Sequence, residues 1–252
     1  RIKKEKTERA TIRIETNPGL SAQVDWKEDF SLHTRKGELI VFQIFLMILG
    51  CSRYKYFEPT LNREQKTLFK SMINGFESFG GVPREIWFDN MKTVVDRSKT
   101  QYNQVVFNQS FYYFSQDIGY QPIACRPYRP QTKGKVEALA RLMDRLKVHD
   151  YEIDSYEDVE RIIKQFQIDI NQEISQATYE KPIILLEKEK EHLKPLPSAD
   201  IIAIYRDDLI ERKVSKEAMV TLDKVKYSVS TQYINKVVRL KILEDILHIY
   251  YN

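Results

Sequence analysis

The chain has 252 residues, which suits one large domain or a domain with a small appendage. It is 42% hydrophobic and 30% charged with only two cysteines, Cys51 and Cys125, which excludes a disordered tail, a disulfide scaffold and a multi-cysteine zinc site and fits a reducing compartment. The formal charge of +4 is a weak hint of an anionic partner, and no apolar run approaches the roughly 18 residues of a membrane span, so no membrane partner is expected.

Residues 1–19 read as a basic lead-in, either a solvated linker or a DNA-contacting arm. The chain opens at Arg1 instead of Met, so a fragment of a longer protein is expected. Ala22, Val24 and Trp26 then alternate with Gln23, Asp25 and Lys27, which predicts a strand with one apolar face and Asp25 on the other. Leu39 to Leu49 is almost continuously apolar and predicts a central strand buried on both faces. Arg53 to Pro59 alternates again, with Tyr54, Tyr56 and Glu58 opposite Lys55 and Phe57. Short links between the three runs predict an antiparallel meander.

Asn62 with Gln65 predicts a capping box ahead of a helix whose stripe is Leu68, Phe69, Met72, Ile73, Phe76 and Phe79, stopped by Gly80 and Gly81. Glu85 to Phe88 predicts a short strand that delivers Asp89 at its end, and a second helix is expected between Asn108 and Asp117. Pro122 to Cys125 predicts another strand, followed by a polar, Pro-rich loop from Arg126 to Gly134. A helix from Lys135 to His149 carries Val136, Leu139, Ala140, Met143 and Leu146 on its core face. Ser155 with Asp158 predicts a capping box for a further helix, and Pro182 a first helical turn. Residues 193–200, containing Lys194 to Ser198, read as a linker. Beyond them, four short β-branched runs between Met219 and Tyr251 predict a small all-β unit. The expected fold class is α/β: a mixed sheet flanked by helices over residues 20–192, followed by a small barrel over 201–252.

No Gly-rich phosphate loop, nucleophile elbow or HExxH motif occurs, and four scattered histidines lack partners at metal-ligand spacing. Three carboxylates sit in unusual places. Asp25 is mid-strand, where Asp is disfavoured. Asp89 follows the apolar run Ile86-Trp87-Phe88, and Glu137 lies one turn into a helix after a loop rich in Lys and Arg. If the first and fourth strands are neighbours, Asp25 and Asp89 approach each other, and a helix alongside can aim Glu137 at the same point. Clustered carboxylates repel unless something positive intervenes, and hard oxygen ligands suit Mg²⁺. Taken singly, each has a plainer reading: a strand end, a turn at Asp89-Asn90, and an i, i+4 surface pair of Glu137 with Arg141. Arg126, Arg129, Lys133, Lys135, Arg141 and Arg145 form a local basic cluster suited to phosphate contacts or to a solvated face.

Three segments carry a resemblance to a known family: Glu15-Thr16-Asn17-Pro18-Gly19 with Ala22-Gln23-Val24-Asp25-Trp26; Trp87-Phe88-Asp89-Asn90; and the run from Cys125 to Glu137, CRPYRPQTKGKVE. Together they resemble the catalytic core of DDE transposases and retroviral integrases, nearest to the IstA-type transposases of bacterial insertion sequences. The likeness covers residues 15–190 well. Lys226-Tyr227-Ser228-Val229 resembles part of the small barrel that follows the core in IstA and phage Mu-type transposases. The interval from Asp89 to Glu137 is longer than in integrases, which an insertion around Asp96 to Val106 explains.

The resemblance implies an RNase H-like fold and a metal site of Asp25, Asp89 and Glu137 holding two Mg²⁺ ions, with Mn²⁺ able to substitute. It implies cleavage of transposon ends to free 3′-OH groups, which are then joined to target DNA. The basic cluster and Asn90 are the expected DNA contacts. Implied partners are terminal inverted repeats, target DNA, further copies of the chain assembled on DNA and an AAA+ ATPase helper, in the bacterial cytoplasm at the nucleoid. Three rivals stand beside this reading. The first is an RNase H-like endonuclease or resolvase that cuts without joining, and the second a non-catalytic DNA-binding remnant. The third is a glycosidase, disfavoured because a basic loop beside Glu137 would lower the carboxyl pKa that a general acid needs raised.

Overall fold

The computed structural model describes residues 16–89, 91–97, 105–125, 134–206, 210–243 and 246–251; side chains at 97, 134–137, 241–243, 246 and 248 fall outside that description. A five-stranded sheet forms its centre. The strands are β1 (Ser21–His33), β2 (Leu39–Leu49), β3 (Lys55–Thr60), β4 (Glu85–Phe88) and, after two intervening short strands, β7 (Gln121–Ala124), in the order β3-β2-β1-β4-β7. The first three form the expected antiparallel meander. β4 runs parallel to β1, and β7 parallel to β4.

Helix α1 (Gln65–Phe79) links β3 to β4, and α2 (Gln109–Ile118) leads into β7. Successive parallel strands step outward in one direction, so right-handed crossovers place both helices on the same face. The two helices share a core with Ala22, Val24 and Trp26 of β1, Phe45, Met47 and Leu49 of β2, and Phe88 of β4. Helix α3 (Gly134–Leu142) and helix α4 (Tyr156–Gln172) cover the opposite face, with Leu139, Met143, Val159 and Ile163 against Ile44, Leu46 and Ile48. β2 is thus buried on both faces from Ile44 to Leu49, whereas Leu39 and Val41 at its start are exposed.

β1 changes face part-way. Lys27 pairs with Ile44 but Phe30 pairs with Phe42, so β1 carries one extra residue across a bulge, where Asp29 has φ 48°. Before the bulge the even residues Ala22, Val24 and Trp26 face α1. After it, Phe30 and Leu32 face α4. The outer edge of β3 is closed by α4: Gln167 Oε1 accepts from Phe57 N at 2.7 Å, and Asn171 exchanges bonds of 2.9 and 2.8 Å with Lys55 N and O. A helix that satisfies an edge strand's free groups removes a site of unwanted strand pairing.

Several expectations are corrected. Helix α1 begins at Gln65, with Glu64 at the cap position; Asn62 Oδ1 instead accepts from Glu64 N at 3.0 Å and Thr67 Oγ1 at 2.5 Å. Gln65 turns away from the cap to donate to Thr93 O and Asn108 Oδ1. Ser155 caps helix α4 as expected but makes no side-chain cap bond, and Asp158 Oδ2 accepts from Asp154 N at 2.9 Å. The helix expected to reach His149 ends at Leu142 and continues as a 3₁₀ stretch from Met143 to His149. The region around Asp96 to Val106 contributes a two-stranded ribbon, β5 (Val95–Arg97) with β6 (Val106–Phe107).

The C-terminal third departs further. Helix α5 (Pro182–Lys190) has Pro182 in its first turn, as expected. The stretch 193–200, read as a linker, is tied to the core: Lys194 N and O exchange bonds of 2.8 and 2.9 Å with Val82. Helix α6 (Ala199–Arg206), unannounced by the sequence, buries Tyr205 against Phe69 and Phe114. The expected barrel is not evident. Among the described residues the last strands form separate small sheets, β12-β11-β8 and β10-β9, from β8 (Ile210–Lys213), β9 (Met219–Leu222), β10 (Val225–Ser228), β11 (Val237–Leu243) and β12 (Ile246–Tyr250). They share a small core of Val214, Val220, Leu222, Val238 and Leu240.

Candidate active site

The parallel ladder between β1 and β4 has four rungs, and Val24 opposite Phe88 is the last. Asp25 is the next residue on β1, and Asp89 is the first residue after β4. Adjacent strands lie about 4.8 Å apart, so the register sets the two residues side by side. β4 stops at Phe88 and β7 at Ala124, while β1 continues to His33. The sheet is therefore notched beyond this rung. Ends of parallel strands where neighbours diverge are where α/β sheets bind ligands.

The notch opens into a cleft of about 700 Å³ lined by Asp25, Trp26, Glu28, Arg63, Glu64, Asp89, Met91, Lys92 and Thr93. Both aspartates are half-buried. Asp25 Oδ1 accepts from Trp26 N at 2.8 Å, which fixes the carboxylate against its own strand. Trp26 itself is anchored edge-on to Phe45, with ring centroids 5.2 Å apart. Opposite Asp25 on β2 stands Leu46, whose side chain is buried on the α3 face. Cross-strand partners share a face. Asp25 thus belongs to the side of the sheet that α3 covers.

Helix α3 packs on β1 and β2 through Leu139 and, just past its end, Met143. A Lys27–Asp144 ion pair of 3.2 Å ties β1 to the following 3₁₀ stretch. Glu137 and Lys135 lie in the first turn of this helix, and their side chains fall outside the described residues. Asn90, Arg126, Arg129 and Lys133 also lie outside them. The structure therefore brings Asp25 and Asp89 together and carries the backbone of Glu137 onto the same face.

The donor chemistry fits a hard divalent cation. Two carboxylates at strand spacing, open to solvent on one side, repel each other until positive charge enters between them. Among the described residues, which do not include the Glu137 side chain, no group of three or more His, Cys, Asp or Glu could hold a metal ion.

Of the remaining expected DNA contacts, Arg141 is exposed on α3. Arg145 is committed elsewhere. Its guanidinium donates to both oxygens of Glu173, at 2.8 and 3.1 Å, and lies 5.5 Å from the Phe166 ring centre. These bonds hold the Glu173 carboxyl below its usual range. Glu28, Arg63, Glu64, Lys92 and Thr93 line the cleft without a local sequence signal. Arg63 and Glu28, far apart in sequence, form an ion pair at its rim.

The C-terminal residues 204–252 match the family model described as Mu transposase, C-terminal domain. The chain is 36% identical over 242 residues to the transposase for insertion sequence element IS232 of Bacillus thuringiensis subsp. berliner, covering 96% of this chain and 56% of that protein. It is 30% identical over 254 residues to the transposase for insertion sequence element IS21 of Pseudomonas aeruginosa, covering 99% of this chain and 63% of that one. A chain of the simian T-cell lymphotropic virus intasome shares the fold at 13% identity, with a TM-score of 0.55 over 98% of this chain and 81% of its own. The chain spans a little over half the length of these two transposases, and over that length it is similar to both.

Proposed function

We propose that this chain is the catalytic portion of a DNA transposase that cleaves transposon ends to free 3′-OH groups and joins those groups to target DNA. The observation that carries the reading is the placement of Asp25 and Asp89 on the first rung beyond a parallel ladder, at the mouth of an open cleft, in a chain similar to these transposases. Asp25, Asp89 and Glu137 would hold divalent metal. Two Mg²⁺ ions, when bound, supply activation of the attacking oxygen and charge stabilisation of the departing one, and Mn²⁺ supports the same chemistry.

The chain's own groups prepare that site. Trp26 N–H holds one oxygen of Asp25, and the rigid β1–β2 pairing keeps the carboxylate from rotating away. The basic residues of the 126–135 segment and Arg141 would position the phosphodiester backbone without reading its sequence. Arg145 is left out of this role, since phosphate contact would cost it the Glu173 pair. Further partners in this reading are terminal inverted repeats, additional copies of the chain on DNA and an AAA+ ATPase helper, in the bacterial cytoplasm at the nucleoid. Among the described residues no helix is long and apolar enough to cross a membrane.

The test supplies pre-cleaved transposon ends and a target plasmid with Mg²⁺. Joined product with the parent chain and none with Asp25→Asn supports the reading. Cutting without joining favours the endonuclease alternative. DNA binding with neither activity favours a non-catalytic remnant.

A further inference from the structure

The cleft wall holds a cation that neither the family motifs nor the basic cluster accounts for. Its lining carries four carboxylates, Asp25, Glu28, Glu64 and Asp89, against two cations, Arg63 and Lys92. A DNA phosphate entering this space meets an excess of negative charge. Metal at the aspartate pair would relieve part of that charge, and the rest falls to side chains. Arg63 is engaged by Glu28. Lys92 is exposed, and no ion pair holds it among the described residues.

Lys92 is also held in place by its backbone. It sits three residues after Asp89 in a tight turn, where Val94 N and Val95 N both donate to Met91 O, at 3.0 and 2.8 Å. Met91 N donates to Asp89 O at 2.7 Å, so the turn is fastened to the second aspartate. On its far side Thr93 O accepts from Gln65 Nε2 of α1 at 2.9 Å, and Val94 and Val95 are buried in the core beneath α1 and α2. A flexible lysine on a fixed pedestal at the lip of a metal-binding notch suits a compact phosphate contact better than a structural pair.

We propose that Lys92 contacts a backbone phosphate of the bound DNA strand at the cleft, steering that strand onto the aspartate pair. The inference rests on the DNA-joining reading for its ligand, but its test reads binding independently of chemistry. The probe is a fluorescein-labelled duplex of arbitrary sequence, because a phosphate contact carries no base information. Binding of the full 252-residue chain with Mg²⁺ is followed by anisotropy from 50 to 200 mM salt, for the parent, Lys92→Ala and Lys92→Arg. A second set of duplexes carries one neutral methylphosphonate, moved along one strand.

For Lys92→Ala the expected result is weaker binding, about tenfold at low salt, and a salt slope smaller by about one. Lys92→Arg should stay within about threefold of the parent, and one methylphosphonate position should weaken the parent but not Lys92→Ala. An unchanged slope in Lys92→Ala, or methylphosphonate losses equal in parent and variant at every position, overturns the proposal while leaving the DNA-joining reading intact. The expected binding pattern in a chain that never joins DNA would sink that reading and keep Lys92. A parent chain that binds no duplex at all would overturn both.

Discussion

Asp89 is the first residue beyond the last rung that β4 shares with β1, and Asp25 is its counterpart on β1. Two residues far apart in sequence are made neighbours by strand pairing alone, with Phe88 and Val24 buried just behind them. The site therefore depends on the register of that ladder, and a one-residue slip would turn Asp25 to the α1 face.

That dependence makes Asp25→Asn and Asp89→Asn informative. Each keeps the size and the strand, so the melting temperature should move by no more than a few degrees. Cleavage and joining should both fall by about 10³-fold, the scale expected when a main electrostatic element of a transition state is removed. Gel assays of strand cleavage beside thermal melts check the pair of outcomes.

A buried carboxylate holds the first strand's entry. Glu189 is 1% exposed and accepts from Gly19 N at 3.0 Å and Ser52 N at 2.8 Å. Glu189→Ala should cost about 3–5 kcal/mol in urea unfolding, since it orphans two backbone donors. Gly19→Ala should be at least as damaging, because Gly19 has φ 67° and an added Cβ would lie 2.2 Å from His192 O.

Lys55 predicts a pH effect. Burial pushes its pKa down to about 8, against partial relief from Glu173. The unfolded chain then holds this proton more tightly than the folded one, so stability rises as pH climbs from about 8 towards the free-lysine value near 10.4. Lys55→Met should abolish that rise. Urea midpoints of parent and variant at pH 7.5 and 10 measure it, and parallel curves would refute the assignment.

Arg145→Ala should destabilise by about 1 kcal/mol through the lost Glu173 pair and Phe166 contact. Arg145→Lys should restore little of this, because an ammonium cannot make the two-point contact. DNA affinity of Arg145→Ala should change less than that of Arg141→Ala, compared by anisotropy.

The sequence announced the meander, the doubly buried stretch of β2 and the face on which Asp25 stands, because side-chain alternation in a strand reports burial directly. The bulge after Lys27 was hidden, since the run Lys27-Glu28-Asp29 is polar on both faces and shows no period. Helix α6 was hidden for the opposite reason. ADIIAIYR is short and apolar nearly all round, and it is fixed as a helix by Tyr205 packing between α1 and α2. The separate small sheets of the C-terminal unit were hidden too, because short β-branched runs reveal strands but not whether their sheets join. Asp25 and Asp89 were legible because acids interrupt apolar strands there. Lys92 and Arg63 were not, because turn and loop residues reach the cleft only through tertiary folding.

In the proposed function, Asp25, Asp89 and Glu137 share a divalent metal site. Electron paramagnetic resonance of Mn²⁺ titrated into the parent, Asp25→Asn, Asp89→Asn and Glu137→Gln tests it without any need for DNA. Saturable binding by the parent that each single variant weakens at least tenfold is the predicted result. Binding that survives unchanged in any one of the three variants would contradict the claim for that residue, and survival in both aspartate variants would contradict the site.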